Sequence, residues 1–420
     1  MTTRTHATAR ARAHQWDVVL EVDAYPPWSG GSRTYYHNLY SRLAEKFDCR
    51  VLVDTSHCAG DQIFDLAEPH SGLFILRTFE RLPDWKVKRS PDLLRKILHT
   101  GFIAAEARPG ALHCGDLFPQ DLAGALLRRI AGVPLLLFVH GDEISQTDGR
   151  RLQPKVRDAV YRSADALVAA NKFAYDRLAG ILPTTAHVTM ITPGVDVKAF
   201  SPGPRPEWIR SKFSLGDDPV IVTVGRLVKK KGHETVLRSL PAVLKQLPNL
   251  HYMIVGDGPE RARLQELAAQ LGVIGRVFFV GDVPHAEIGD YYRAADIFCM
   301  INQEDDTGDV ESFGMVFIEA NSAGKPVIGG RSGGTTQSIL DGETGILCEP
   351  GNSARAAEQL LLLLCNPELR ARMGSAGLAR ARRDFDWDSR VSQLFEIHNR
   401  ITRRQIAPRP VKGEPCLPQH

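Results

Sequence analysis

Val220-Ile221-Val222-Thr223-Val224-Gly225-Arg226-Leu227-Val228-Lys229-Lys230-Lys231-Gly232 runs from an apolar, β-branched segment through a glycine into a strongly basic turn. An unbroken run of this kind is the pattern of a central strand in a parallel sheet, buried on both faces. The residues just beyond it stand at the carboxyl end of the strand, where doubly wound sheets bind their ligands. An arginine and a lysine five positions apart at that place can clamp a diphosphate, whose charge calls for fixed cations. A solvated basic turn is the plainer reading of the same residues.

Around this stretch the chain alternates short β-like runs with amphipathic segments of helix length, as expected of a parallel sheet with crossover helices. Downstream, strands are predicted at 251–255, 277–280, 296–300, 326–328 and 345–348, with helices near 233–246, 260–271, 313–322 and 354–364. Upstream is a second block of the same kind. Its strands are predicted at 17–22, 50–53, 73–77, 111–114, 134–139, 166–169 and 187–191, with helices that include 34–46, 91–107 and 119–130. Between the blocks, 198–218 is rich in Pro, Gly and charge, the composition of an interdomain linker. The expected organisation is a disordered leader (1–15), an N-terminal Rossmann-like domain (16–200), a linker (201–218) and a C-terminal Rossmann-like domain (219–385). A helical segment (386–406) and a flexible tail (407–420) complete it. No repeat of solenoid period interrupts the pattern.

The bulk properties agree with two domains. A chain of 420 residues exceeds one typical domain, and no apolar run reaches the roughly 18 residues of a spanning helix. The first fourteen residues lack the apolar core of a secretory signal. Seven cysteines are scattered without a C-x-x-C pair, and several adjoin apolar strands. They read as buried thiols in a reducing compartment, which points to the cytoplasm. A net charge of +3 gives no reason to expect nucleic acid.

Further motifs follow predicted strands. In Glu311-Ser312-Phe313-Gly314-Met315-Val316-Phe317-Ile318-Glu319, two carboxylates stand a little over two helical turns apart and share a side if the first precedes the helix. Backbone N–H groups of Phe313, Gly314, Met315 and Val316 near a helix start can cradle phosphate or sugar oxygens. The carboxylates can accept paired hydrogen bonds from vicinal hydroxyls. In Gly256-Asp257-Gly258-Pro259 the glycines allow close backbone approach, and Gly281-Asp282-Val283 repeats that logic one unit later. In the first block, Trp28-Ser29-Gly30-Gly31 opens a helix whose amides can meet a phosphate, with Arg33 and Tyr36 just inside it. His140-Gly141-Asp142-Glu143 ends another predicted strand. Singly, each has a structural reading: surface carboxylates, a tight turn, a strand-end histidine.

Together, Arg226 with Lys231, the Gly-Asp-Gly turn and the Glu-x7-Glu stretch resemble the retaining glycosyltransferases of family 4, and the resemblance covers most of the chain. It implies the α/β fold called GT-B, two Rossmann-like doubly wound domains facing a central cleft, with the C-terminal helix packing back on the first domain. It implies a nucleotide diphosphate sugar as donor. Arg226 and Lys231 would hold its diphosphate, Glu311 the transferring sugar and Glu319 the ribose. The amides of Phe313, Gly314, Met315 and Val316 would lie on sugar and phosphates, with Gly225, Gly256, Gly258 and Val283 lining the donor and Gly30 and Gly31 reaching a phosphate from the first domain. His140 falls at the family's histidine beside the donor sugar, and Arg33, Tyr36 and Glu143 are expected on the acceptor side. In such enzymes the donor phosphate helps deprotonate the acceptor hydroxyl, and the protein stabilises the sugar cation and departing diphosphate. No metal and no other cofactor is required.

At finer grain the Glu motif and the Arg-Leu-Val-x-Lys-Lys-Gly segment resemble the bacterial phosphatidylinositol mannosyltransferases, which implies GDP-mannose. UDP-glucose, UDP-galactose and UDP-N-acetylglucosamine stay open as donors. The acidic run 304–309 departs from that subgroup, which is richer in glycine there. Carboxylates at such density can bind Mg²⁺ or Ca²⁺, whereas the resemblance makes the run a loop, with Arg226 and Lys231 in the metal's place. Residues 77–96 carry Arg77, Arg81, Lys86, Lys88, Arg89, Arg95 and Lys96 against Glu80, Asp84 and Asp92, interleaved with Phe79, Leu82, Trp85 and Val87. Such a surface suits an anionic membrane and a lipid-linked acceptor; a solvated loop and helix face is the other reading.

The expected function is transfer of a hexose, mannose foremost, to a hydroxyl of a glycan or lipid-linked acceptor, at the cytoplasmic side of a membrane. A dinucleotide oxidoreductase lacks its G-x-G-x-x-G here, and a glycosidase has no use for a cationic clamp. A nucleotide-sugar epimerase and a non-catalytic nucleotide-sugar-binding partner protein are the remaining alternatives.

Overall fold

Strands that bury both faces need helices on either side, and the crossovers between parallel strands supply them. The computed structural model, which describes residues 16–27, 31–57, 59–67, 72–80, 90–115, 120–141, 154–306 and 308–403, has this arrangement twice. One unit comprises the residues up to Thr192 together with those from Asp388 onward, and the other is Pro193–Trp387.

The first unit is built on a parallel sheet of β1 (Val18–Glu21), β2 (Val51–His57), β3 (Leu73–Glu80), β4 (Ala111–Cys114), β5 (Leu135–Val139), β6 (Ala166–Ala169) and β7 (Val188–Met190). Their order is β3-β2-β1-β4-β5-β6-β7. Every residue of β1, β4, β5 and β6 is buried, and apart from Glu21 and His113 these strands are apolar throughout. Because side chains alternate, Leu137 and Val139 face a core shared with Ile103, Val160 and Leu178 from crossover helices. Phe138 points the other way, to Tyr36 and Tyr40 on the Gly31–Lys46 helix.

The final helix, Trp387–Thr402, completes that second face. Its Phe395 stacks on Phe47 with ring centroids 3.8 Å apart. His398 Nδ1 lies 3.4 Å from Nε2 of His113 on β4, and His113 Nδ1 is 2.6 Å from the Tyr40 hydroxyl. The expected return of the C-terminal helix to the first domain is thus seen as packing within one unit.

The second unit has β8 (Val220–Val224), β9 (His251–Val255), β10 (Val277–Gly281), β11 (Ile297–Met300), β12 (Val327–Gly330) and β13 (Gly345–Cys348). They pair in parallel in the order β10-β9-β8-β11-β12-β13. In both sheets the strand order reverses beside the first strand, between β1 and β4 and between β8 and β11. Those reversals open the crevices in which such sheets take ligands.

Residues 201–218 are not a linker. Phe200, Ile209 and Leu215 are buried in the core of the second unit, and a helix forms at Glu207–Lys212. The guanidinium of buried Arg210 donates to the carbonyls of Gly216, Ala294 and Asp218 at 2.6, 3.0 and 3.0 Å. Proline and glycine here set the turns of a packed segment; composition reports irregular backbone, not exposure. The leader at 1–15 and the tail at 407–420 lie outside the described residues. Among the described residues no helix is long and apolar enough to cross a membrane.

Candidate functional site

Both conspicuous motifs leave the second sheet at its reversal. β8 runs into Gly225, Arg226 and a 3₁₀ turn at Lys229–Lys231, capped by Gly232 before the His233–Gln246 helix. β11 runs into the acidic loop, Glu311 and the Met315–Ser322 helix. Gly232 is the seam. It has φ +67°, and a Cβ there would lie 1.7 Å from the carbonyl oxygen of Ile301, the residue after β11. Only glycine lets the basic turn press against the other strand's exit.

That approach puts Lys231 Nζ 2.5 Å from Glu311 Oε2, both side chains largely shielded from solvent. Burial pushes the Glu311 carboxyl upward, but the Lys231 ammonium outweighs it, helped by Lys230 and the Gly314 N–H, and the group lies below the usual carboxylate range. Glu311 is therefore ionised at neutral pH. Glu319, on the helix, accepts a 2.8 Å hydrogen bond from the Tyr292 hydroxyl. Burial pushes its carboxyl up, opposed by Tyr292, His285 and Lys231. One ammonium thus acts on both carboxylates. Arg226 differs from Lys231: it is exposed, and among the described residues its side chain makes no hydrogen bond or ion pair.

The glycines of the Gly256-Asp257-Gly258 turn have a neighbour other than a ligand. A Cβ on Gly256 would lie 2.2 Å from the Gly225 carbonyl oxygen, and one on Gly258 would lie 2.4 Å from that of Leu227. Both make room for the basic turn, whose Leu227 N–H donates to the Asp257 carbonyl at 2.9 Å. Phe313 is a core side chain, edge-on to Phe385. Gly314, at φ +82°, caps the helix, and Met315, Val316 and Val283 are half-buried.

The acidic loop is matched to the basic turn residue by residue. Lys229 pairs with Asp306 at 2.5 Å, Lys230 with Asp309 at 2.7 Å and Lys231 with Glu311. These carboxylates face ammonium groups rather than one another. No cluster of three or more His, Cys, Asp and Glu arranged for a metal occurs among the described residues.

In the first unit, His140 follows β5 and Gly115 follows β4. Tyr36 is buried, its hydroxyl donating to the Gly115 carbonyl and lying 2.6 Å from His140 Nε2. The expectation that Tyr36 meets the acceptor is corrected accordingly: its helix turns the phenol into the sheet. Gly31 begins the same helix and is exposed, and Arg33 is half-buried. Gly30 and Glu143 lie outside the described residues.

The basic stretch is also revised. Arg77 is buried and bonds Asp65 at 2.8 Å, and Lys96 reaches inward to within 3.5 Å of Glu21, so neither is a surface cation. Residues 81–89 lie outside the described residues.

Two family profiles match the chain, one described as Glycosyltransferase Family 4 over residues 29–199 and one as Glycosyl transferases group 1 over residues 204–380. A GDP-mannose-dependent alpha-(1-6)-phosphatidylinositol monomannoside mannosyltransferase of Mycolicibacterium smegmatis is 30% identical over 387 residues, 90% of this chain and 97% of the relative. The chain belongs to glycosyltransferase family 4. A D-inositol 3-phosphate glycosyltransferase of Corynebacterium efficiens is 33% identical over 51% of each chain. Among solved structures, a glycosyltransferase from Rickettsia africae superposes with TM-score 0.77 at 18% identity, covering 93% of this chain and all of that one. Anabaena HepE in complex with UDP superposes with TM-score 0.74 at 20% identity, covering 90% and 98%. These likenesses carry the fold.

In this glycosyltransferase the residues that hold Glu311 were not read from the sequence. Gly334 donates its N–H to the Glu311 carbonyl at 2.7 Å. A Cβ on Gly333 would stand 2.3 Å from that oxygen, and one on Gly334 would stand 2.0 Å from the Ser312 carbonyl oxygen. Buried Asn302 ties the same loop to β11, donating to Thr335 Oγ1 at 2.6 Å and accepting from the Gly330 N–H at 3.1 Å. The available signal was the Gly329-Gly330-Arg331-Ser332-Gly333-Gly334 run directly after a predicted strand. Tyr292, the partner of Glu319, sits in the last turn of the His285–Ala294 helix beside Tyr291 and carried no signal.

Proposed function

We propose that this glycosyltransferase moves mannose from GDP-mannose, with retention and without a metal, to a hydroxyl of a glycan or lipid-linked acceptor. The observation that carries the reading is the Lys231–Glu311 pair at the strand-order reversal, in the same basic turn as an exposed Arg226 whose side chain has no partner among the described residues. Arg226 meets the donor diphosphate first, and Lys231 turns from Glu311 toward the phosphates as their charge arrives. Glu311, ionised and then relieved of its lysine, accepts hydrogen bonds from the sugar hydroxyls. Glu319, steadied by Tyr292, takes the ribose, and the amides at the start of the Met315–Ser322 helix lie on sugar and phosphate. On the first unit, taken by itself, Gly31 is read as a phosphate contact, His140 as a sugar contact and Arg33 as an acceptor contact. The two cations neutralise the departing nucleotide, the task a metal has elsewhere. The mannose donor rests on the mycobacterial relative, which spans nearly the same length.

The acceptor is lipid-linked and is met at an anionic membrane surface. Leu94, Leu98 and Phe102 are more than half exposed at successive helical turns of Ser90–Ala107, next in the chain to the basic and aromatic residues of 81–89. Binding to phosphatidylglycerol vesicles that weakens with salt is expected, and no binding at low salt would remove this part.

Incubation with GDP-mannose and a phosphoinositide extract tests the reaction. Release of GDP that depends on the acceptor, unaffected by EDTA, with an α-linked product by NMR, is the expected result. Turnover with UDP-sugars alone would overturn the donor. Donor binding without turnover on any acceptor would make the protein a binding partner instead.

A further inference from the structure

Arg77, expected among surface cations, points inward from β3. The pairing of β2 with β3 shifts by one residue there, Thr55 standing opposite Arg77 and Ser56 opposite Phe79. Such irregularities re-aim side chains. The Arg77 side chain is 4% exposed. Its Nε and Nη2 donate to Oδ2 and Oδ1 of Asp65, both at 2.8 Å, and Nη1 donates to the Ser56 carbonyl at 3.2 Å. The second hydrogen of Nη2 goes to the Pro26 carbonyl at 2.6 Å.

Pro26 belongs to the segment that leaves β1 and enters the Gly31–Lys46 helix. The bidentate pair with Asp65 fixes the plane of the guanidinium, and with it the direction of the remaining Nη2 hydrogen. A lysine has no such fork and cannot hold Asp65 at two oxygens while reaching Pro26. Asp65 sits on the short Asp61–Ala67 helix, whose Asp61 carboxylate lies 3.9 Å from Arg77 Nε. A second tie runs from the Ser56 hydroxyl to the Asp23 carbonyl at 2.6 Å. The exit of β1 is thus held at two carbonyls from β2 and β3, while a Cβ on Gly31 would meet nothing within 4 Å.

We propose that Arg77 is a positioning residue: through the Pro26 carbonyl it sets the approach of the chain to Gly31, and so the direction of the amides that open the Gly31–Lys46 helix toward a donor phosphate. This rests on the reading of Gly31 as a phosphate contact. Asp65 acts one step further out, by orienting the guanidinium.

Hydrogen exchange of the full chain, read by mass spectrometry, tests this together with transfer from GDP-mannose to a phosphoinositide extract. In Arg77→Lys the expected result is faster exchange in peptides covering 26–35, with β4 and β5 unchanged, and kcat lowered about ten-fold or more. GDP affinity, which the basic turn of the second unit sets, is expected to stay. Asp65→Asn keeps the arginine and loses the charge that orients it, so both readouts are expected to move the same way, and Asp65→Glu to keep most of each. An arginine with a structural role alone would lower the melting temperature while exchange at 26–35 and turnover per folded molecule stay native, and that result overturns the proposal. Loss of turnover without faster exchange at 26–35 overturns it as well. If Arg77→Lys fails to fold, Asp65→Asn decides between the same outcomes. Gly31→Pro removes that amide at a place where proline suits a helix start. Native turnover in this variant would overturn the phosphate reading of Gly31 and leave the exchange result standing.

Discussion

Lys231 and Arg226 are both cations of the basic turn, and their surroundings separate what each substitution does. Lys231 neutralises a shielded carboxylate at 2.5 Å. Removing one partner of such a pair leaves an uncompensated charge, which destabilises by about 3–5 kcal/mol when burial is complete and by less here. Arg226 is exposed, so Arg226→Ala is expected to change stability by no more than about 0.5 kcal/mol. Chemical denaturation of Lys231→Met and Arg226→Ala checks the contrast; equal losses would contradict it. Glu311→Gln keeps the shape and removes the charge, so turnover is expected to fall about a hundred-fold or more, with nucleotide affinity kept. His233 gives a pH prediction. Burial holds its imidazole down at about 4, against an ordinary 6.5. Between those values the unfolded chain binds a proton that the folded one refuses, so stability present above 6.5 is lost as pH falls toward 4. The loss is on the order of 3 kcal/mol. Denaturation midpoints from pH 7 to 4 should fall less steeply in His233→Gln; parallel curves would exclude His233 as the cause.

At the scale of elements, the glycine loop after β12 forms the seat of Glu311. Gly334→Ala would place a methyl 2.0 Å from a backbone oxygen, which forces the Glu311 segment to move. Turnover is expected to drop at least about ten-fold, with far-UV circular dichroism unchanged; native turnover in a folded Gly334→Ala would show that the loop is not a seat. Elements whose apolar pattern is local were legible from the chain itself, as with β8 and β11 and the turns that leave them. The Glu311 seat was not, because Asn302, Glu311 and Gly334 come together only once β11 and β12 pair. The Pro367–Asp384 helix escaped for a related reason. Its Gly374 and Gly377 allow close packing on the Gly324 carbonyl and the Asn321 side chain, partners distant in the sequence. Tyr36 was placed on the correct helix and given the wrong direction, since burial depends on the sheet beneath it.

On the scale of the whole chain, the last helix ties the end of the sequence to its beginning. Phe395 on Phe47 and His398 beside His113 and Tyr40 place its packing in the first unit. Phe395→Ala is expected to destabilise that unit by about 3–5 kcal/mol and to leave the nucleotide-sensitive unit unchanged. Calorimetry with and without nucleotide checks this, and a loss confined to the nucleotide-sensitive transition would contradict it. The twofold alternation of strands and helices was plain in the sequence, while the boundary near Thr192 was not, because the packing of 193–218 is set by distant partners such as Ala294. Binding of a nucleotide diphosphate by the basic turn of the second unit is checked by titration calorimetry of GDP, UDP and GMP against the native chain and Arg226→Ala. GDP is expected to bind, GMP far more weakly, and Arg226→Ala to lose GDP while keeping its stability. Equal binding of GDP and GMP, or GDP affinity untouched by Arg226→Ala, would contradict it.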